Sequence, residues 1–315
     1  GIYFDTAKFP GYARLSSQNL EALQEGARVE KNPEKRNATD FALWKFSPPG
    51  ARRQMEWYSP WGVGFPGWHI ECSAMSMQFL GDQLDIHCGG IDHIDIHHTN
   101  EIAQSEAATG RTFFNFWMHG AFLNIQGGKK MAKSEENFLT LANALVKRGL
   151  PPLAYRFAAF LTHYRKPMEY SDASIQAAKN GLEHLCNQVR ELASAGARAA
   201  ASAADPGFRE KFLEAVNDDL NMPRAMAVVQ EMIKSGLAPG AKHATVLEFD
   251  RVLGLDLDRV DRREELPAEV QQLVEARAGA RASKNWAESD RLRDEIQARG
   301  YTVKDTRAGM KLLKA

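Results

Sequence analysis

At 315 residues the chain is long enough for two or three domains and a sizeable buried core. Its 40 basic and 40 acidic residues cancel, so no overall excess of positive charge announces a nucleic-acid partner, although a local patch would suffice for one. Three cysteines (Cys72, Cys88 and Cys186) are too few for a disulfide framework and fit a reducing, cytoplasmic compartment, and no apolar run reaches the roughly 18 residues a membrane span needs.

The chain opens Gly1-Ile2-Tyr3-Phe4-Asp5, without Met or a signal peptide, and reads like the middle of a domain; the expectation is that the natural N-terminus lies upstream or that a paralogue has dropped it. Ile2-Tyr3-Phe4 is a short β-type run. Ser16–Gly26 predicts a short helix and Ala27–Glu30 an extended segment, followed by a charged turn over Asn32–Arg36. Phe41–Lys45 is apolar and expected to be buried. Pro48–Gly50 and Ser59–Gly67 are rich in Gly and Pro and read as loops.

Metal-capable residues are densest between His69 and Glu101: His69, Cys72, His87, Cys88, His93, His97, His98 and Glu101. Asn100–Gly110 reads as a helix with Gly110 as its stop, so His97 and Glu101, four apart, share one face. Cys72 leads into a second helical run. Thiolate, imidazole and carboxylate are all good zinc ligands, and a site with three protein ligands keeps a position open for substrate. No CxxC pair or HExxH is present, so spacing alone leaves a zinc site and ordinary packed residues both open.

Residues 68–150 alternate helix and strand patterns, as in a doubly wound sheet. Leu84–His87 is a short strand ending at Cys88-Gly89-Gly90, where glycines let backbone approach a ligand at the carboxyl edge of the sheet; a tight turn explains them equally. Trp117–Ile125 supplies another apolar strand. Lys129-Lys130-Met131-Ala132-Lys133-Ser134 is a cationic loop that could neutralise a leaving pyrophosphate, or simply be solvated. Residues 151–170 read as an apolar, aromatic helix. Residues 172–260 are helical, with Leu182, Leu185, Val189 and Leu192, then Phe212, Val216 and Leu220, at helical spacing, and with Ala193–Ala204 as an Ala-rich linker. Pro267–Ser283 and Trp286–Arg299 predict two helices, the second ended by Gly300, followed by a hairpin.

The blocks Gly67-Trp68-His69-Ile70-Glu71-Cys72-Ser73-Ala74-Met75, Asp85-Ile86-His87, Gly89-Gly90-Ile91-Asp92, His97-His98, Asn100–Glu106 and Lys130-Met131-Ala132-Lys133-Ser134 stand in the order seen in cysteinyl-tRNA synthetases, and the chain resembles that class I family from about residue 1 to its end. The resemblance implies an α/β fold: the C-terminal part of a class I synthetase Rossmann-like domain, then an α-helical bundle and a small α/β end module. The implied divisions are 1–66 (insertion and return segment), 67–170 (second half of the catalytic domain), 171–262 (tRNA-binding bundle) and 266–315 (anticodon module).

It further implies Zn2+ on Cys72, His97 and Glu101 with one upstream cysteine, Trp68 and Cys72 at the amino acid, Gly89, Gly90, Asp92, Lys133 and Ser134 at ATP with Mg2+, and Lys130 and Lys133 as the catalytic cations. The implied partners are tRNA(Cys), cysteine and ATP, with no membrane and a monomeric chain. Four departures accompany the likeness. Cys88 stands where the family usually has Gly, Ala132 replaces the first Ser of the Lys-Met-Ser-Lys-Ser signature, and Glu135-Glu136 replaces Leu-Gly. The His-Ile-Gly-His-type motif is not found in these residues. Two alternatives stay open: a cysteine ligase of mycothiol biosynthesis, and a non-catalytic paralogue that binds tRNA or zinc.

Overall fold

A short antiparallel sheet leads into the candidate site. The computed structural model describes residues 1–16, 32–50, 53–125, 139–196, 202–260, 267–306 and 309–314. The chain splits into two compact units, Gly1–Asn180 with Ala215–Met226, and Gly181–Glu214 with Ala227–Ala315. The expected helix in Ser16–Gly26, the extended Ala27–Glu30 and the whole Lys129–Ser134 segment with Glu135 and Glu136 lie outside the described residues, Ser16 apart.

In the first unit, β1 (Ile2–Phe4), β2 (Phe41–Phe46) and β3 (Gly64–Pro66) form an antiparallel sheet in the order β1-β2-β3. Strand β3 falls inside the Gly/Pro-rich stretch expected to be loop: its partner β2 supplies the ladder that its sequence does not advertise, with Trp44 opposite Pro66 and Phe46 opposite Gly64. Of the apolar Phe41–Lys45 run only Phe41 is buried. At Gly67 a Cβ would sit 1.9 Å from the Ala42 carbonyl oxygen, so the chain can pass β2 and turn into the next helix only as glycine.

That helix, α1 (Trp68–Leu80), starts at Trp68 and therefore includes Cys72 in its second turn. Strand β4 (Leu84–Gly90) runs on through Cys88, Gly89 and Gly90, where a stop after His87 was expected. A single π-type turn (Ile94–His98) feeds α2 (Thr99–Thr109), which ends at Gly110 in the left-handed conformation, as its sequence predicts. Strand β5 (Phe114–Gly120) returns parallel to β4, completing a β-α-β unit in which Gly89 lies opposite His119 and Gly90 opposite Gly120. The expected single strand over Trp117–Ile125 is broken in two: β6 (Leu123–Ile125) pairs instead with β7 (Met168–Tyr170), again in parallel.

Between β6 and β7 lie α3 (Leu141–Ala144) and α4 (Pro152–Phe160). The apolar 151–170 stretch is thus not one helix. It stops at Phe160, and Pro167, which cannot donate a backbone hydrogen bond, is followed by the strand that carries Met168 and Tyr170.

Helix α5 (Asp172–Gly196) takes up the first four residues of the expected Ala-rich linker, because alanine favours helix wherever a helix already exists to extend. It is followed by α6 (Pro206–Asn217), α7 (Met222–Lys234) and α8 (Pro239–Leu253). Leu182, Leu185, Val189 and Phe212 are buried; Phe212 stacks on Phe249 at 4.2 Å. Leu220 is 43% exposed, because α6 has already ended and Leu220 sits in a left-handed turn. In the end module α9 (Ala268–Ala282) and α10 (Trp286–Ala298) precede an antiparallel hairpin of β8 (Tyr301–Thr306) and β9 (Gly309–Lys314). Among the described residues no helix is long and apolar enough to cross a membrane.

Candidate metal and substrate centre

Helices α1 and α2 bring the site together. They are pinned to each other by Ser73, whose buried hydroxyl accepts from Gln104 Nε2 at 2.6 Å and from Ser105 Oγ at 2.8 Å. Cys72 therefore faces the first turn of α2. Its Sγ, a ring nitrogen of His97 and a carboxylate oxygen of Glu101 all lie within 4.8 Å of one another.

Glu101 is fully buried and sits at the centre of a histidine cluster. Its Oε2 is 2.9 Å from His87 Nε2, 3.7 Å from His97 Nε2 and 3.8 Å from His98 Nε2, while its Oε1 has no hydrogen-bond partner. A buried carboxylate oxygen without a partner is costly unless a cation or donor completes it. His87, His98 and Glu101 form a second group of donors within the same 4.8 Å limit.

Two of the inner imidazoles are each backed by an outer one. His97 Nδ1 is 2.9 Å from His69 Nδ1, and His98 Nδ1 is 2.7 Å from His119 Nε2. Burial lowers the pKa of all four, His69 to about 4 and His98 to about 3, with the neighbouring imidazoles adding to the effect on His69, His98 and His119. At neutral pH these rings are uncharged. In the tautomer where Nδ1 of His97 donates to His69, its Nε2 lone pair is free toward Glu101 and Cys72, the form a metal ligand requires.

The Cys72 thiol is pushed up by burial and by the carboxylates of Glu101 and Glu71, so it is protonated at neutral pH until a cation displaces the proton. The donor set, the orphaned Glu101 oxygen and the neutral rings together fit a borderline-soft divalent ion such as zinc.

The glycines of β4 belong to the same packing. A Cβ on Gly89 would lie 2.4 Å from His98 Cε1 and 2.8 Å from His93 Nδ1, and one on Gly90 would lie 2.4 Å from Asp92 Oδ1. The space spared at Gly89 is filled by the histidine cluster. Asp92 and Cys88 are exposed at the carboxyl end of β4, and Trp68 is 68% exposed with its indole 6.0 Å from the His97 ring. Lys130, Lys133 and Ser134 lie outside the described residues.

Sequence reasoning counts His69, His87 and His98 among the metal-capable residues without giving any of them a specific role, and it passes over His119. For His119 the usable signal was a polar residue inside the apolar run Trp117–Ile125.

Residues 1–180 match the family model for the class I (C) tRNA synthetase catalytic domain, and residues 263–310 match the cysteinyl-tRNA ligase anticodon binding domain. The chain belongs to the cysteinyl-tRNA synthetase family. It is 46% identical over 317 aligned residues to Cysteine--tRNA ligase 1 of Burkholderia lata, covering 99% of this chain and 65% of that protein. It is 43% identical to Cysteine--tRNA ligase of Chlorobaculum tepidum, covering 98% of this chain and 66% of that one. The chain thus spans about two thirds of the length of these relatives. Among solved structures, the Agrobacterium radiobacter K84 LeuRS in a ternary complex with tRNA and LeuAMS shares the fold, with a TM-score of 0.50 at 16% identity over 66% of this chain and 33% of that one. These matches favour neither the mycothiol-pathway ligase nor the non-catalytic paralogue.

Proposed function

We propose that the natural protein is a cysteine--tRNA ligase. It would join ATP and cysteine into cysteinyl-adenylate with release of pyrophosphate, then pass the cysteinyl group to the 3′ end of tRNA(Cys) with release of AMP. The reaction would run in the cytoplasm. The observation that carries the reading is the convergence of Cys72, His97 and Glu101 in a buried cluster of neutral imidazoles.

Cys72, His97 and Glu101 would hold zinc, together with a ligand from outside these residues. A zinc ion there would supply a soft Lewis acid that takes the thiolate of cysteine and discriminates against the hydroxyl of serine. The chain's own groups do the rest. His69 holds His97 in the ligating tautomer, and His87 donates to Glu101 and fixes its rotamer. Trp68 would wall the amino acid pocket beside His97. Gly90 and Asp92, at the carboxyl end of β4, face the adenosine, with the Asp92 carboxylate near the ribose. Gly89 makes room for the cluster beneath them. Lys130 and Lys133 neutralise the phosphates of ATP and Mg2+-bound pyrophosphate as charge moves onto the leaving group, and Ser134 adds a hydrogen bond to the same phosphates.

The test is cysteine-dependent ATP–pyrophosphate exchange by the full natural chain, with serine in parallel. Exchange with cysteine and none with serine supports the reading. Exchange with neither sinks it. Equal exchange with both would remove the metal-read thiolate from the account.

A further inference from the structure

The turn between α6 and α7 is built around two non-glycine residues, Asp219 and Leu220, both with φ of 53°. A left-handed non-glycine residue is strained, Asp less than Leu, and such conformations persist only where surrounding contacts over-determine them. Backbone bonds from Leu220 N to Val216 O (3.0 Å) and from Asn221 N to Ala215 O (3.1 Å) close the turn. They explain how it holds its shape. They do not explain what the Asp219 side chain is presented to.

Asp219 accepts from Arg165 through both oxygens, from Nε at 2.5 Å and Nη2 at 3.0 Å, and from the Tyr164 hydroxyl at 2.6 Å; His163 Nε2 stands at 3.8 Å. The guanidinium and the phenol hold its carboxyl near a pKa of about 2. The segment that carries Tyr164 and Arg165 is in turn bonded to the residues that follow β5. The Tyr164 carbonyl accepts from Ala121 N at 2.8 Å, directly after β5, and Met168 N donates to Phe122 O at 3.0 Å. Arg165 lies near enough to His119 to disfavour its charged form, and Tyr164 is felt electrostatically together with Cys88 at the end of β4. Residues 163–168 therefore lie against the carboxyl ends of β4 and β5, with Asp219 gripping them from the α6–α7 turn.

We propose that Asp219 is a positioning residue for the nucleotide end of the site, acting through Tyr164 and Arg165 on the segment Gly120–Phe122 and the strand ends beside it. The inference rests on the ligase reading above, which assigns that edge to adenosine. An exposed ion pair adds little stability. Its value here is geometric: a bidentate guanidinium and a phenol on one carboxylate fix the direction of the turn. Small misplacements of substrate-facing groups cost rate rather than fold.

The experiment is steady-state exchange kinetics on the full natural chain and its D219N, R165M and D219N/R165M variants, with melting temperatures of each. D219N keeps the size and one acceptor while removing the charge. The expected result is a fall in kcat of about tenfold for D219N, with KM for cysteine unchanged. The double variant should be no slower than the slower single one, because both substitutions break the same clamp. A D219N chain that melts earlier but turns over within about twofold of wild type would show a merely structural turn and overturn the proposal. Losses that multiply in the double variant would overturn it too. A wild-type chain without exchange removes the ligase reading, and this inference with it.

Discussion

The Nδ1 atoms of His69 and His97 stand 2.9 Å apart, close enough that only one proton can lie between them. If His97 keeps that proton, its Nε2 faces Glu101 as a lone pair; if His69 keeps it, His97 presents Nε2–H and cannot ligate. Burial of His69, whose pKa falls to about 4, keeps it an uncharged acceptor at neutral pH, where it can take the bond that His97 donates. Replacing His69 by Ala should weaken zinc binding about 10–100-fold, the usual cost of losing an outer-sphere partner, without removing a ligand. Competition with a chelator of known affinity measures this directly. An unchanged zinc affinity would mean the tautomer is fixed by something other than His69.

The buried Glu101 carboxylate leads to an expectation of opposite sign for stability and for metal. In the metal-free chain its charge is desolvated and its Oε1 has no partner. Glu101→Gln keeps the shape and an acceptor for His87 while removing the charge. The metal-free variant should be as stable as the parent or more stable by about 1–3 kcal/mol, whereas its zinc affinity should fall by more than the outer-sphere substitution costs. Chemical denaturation of both forms after chelation, set beside their zinc titrations, checks the pair of outcomes. A metal-free Glu101→Gln chain less stable by several kcal/mol would show that the histidines compensate the carboxylate without any ion.

What was legible in the sequence was local. His97 and Glu101 share a face because helix geometry alone puts residues four apart together, and Gly110 marks the stop of α2 because only backbone freedom is needed there. The end hairpin and its two helices are likewise near-neighbour structures. What was not legible depends on pairing across the chain. His119 reaches His98 only because β4 and β5 pair in a register that sets Gly89 opposite His119. Strand β6 finds β7 across an intervening stretch of more than forty residues, so the 151–170 run looked like a continuous helix with nothing nearby to contradict it. The grip of Asp219 on Arg165 joins positions 54 apart and has no periodic signature.

Tyr12 offers a test at alkaline pH. Its hydroxyl donates to Asn100 Oδ1 at 2.6 Å, one residue before Glu101, and burial together with the nearby Asp40 charge pushes its pKa up to about 12. The folded pKa is above the ordinary value of 10, so the fold favours the neutral phenol. The resulting stability is fully present below pH 10 and is lost as pH rises toward 12. Tyr12→Phe should cost about 1 kcal/mol at pH 8, the net worth of the hydrogen bond, and should flatten the alkaline decline between those values. Denaturation midpoints of both chains from pH 8 upward give the comparison. Parallel curves for parent and variant would place the alkaline loss on other groups.

Ser73 decides whether the two site helices act as one body. Its hydroxyl is the single acceptor shared by Gln104 Nε2 and Ser105 Oγ, all three residues being buried, and it is adjacent to Cys72 in α1. Ser73→Ala leaves two donors of α2 facing a methyl group. Each unpaired buried donor costs about 1–3 kcal/mol, so the variant should lose roughly 2–4 kcal/mol of stability. Because the lost bonds join α1 to α2, the Cys72 sulfur should also move relative to His97 and Glu101. Zinc affinity should therefore fall although no ligand has been touched. A Cys72→Ser chain separates the effects: it loses the ligand while keeping the Ser73 lock, so zinc affinity should drop with little change in the stability of the metal-free protein. Equal destabilisation by Ser73→Ala and Cys72→Ser in the metal-free form would show that the helices are held by general packing and that Ser73 plays no special part in seating the cysteine.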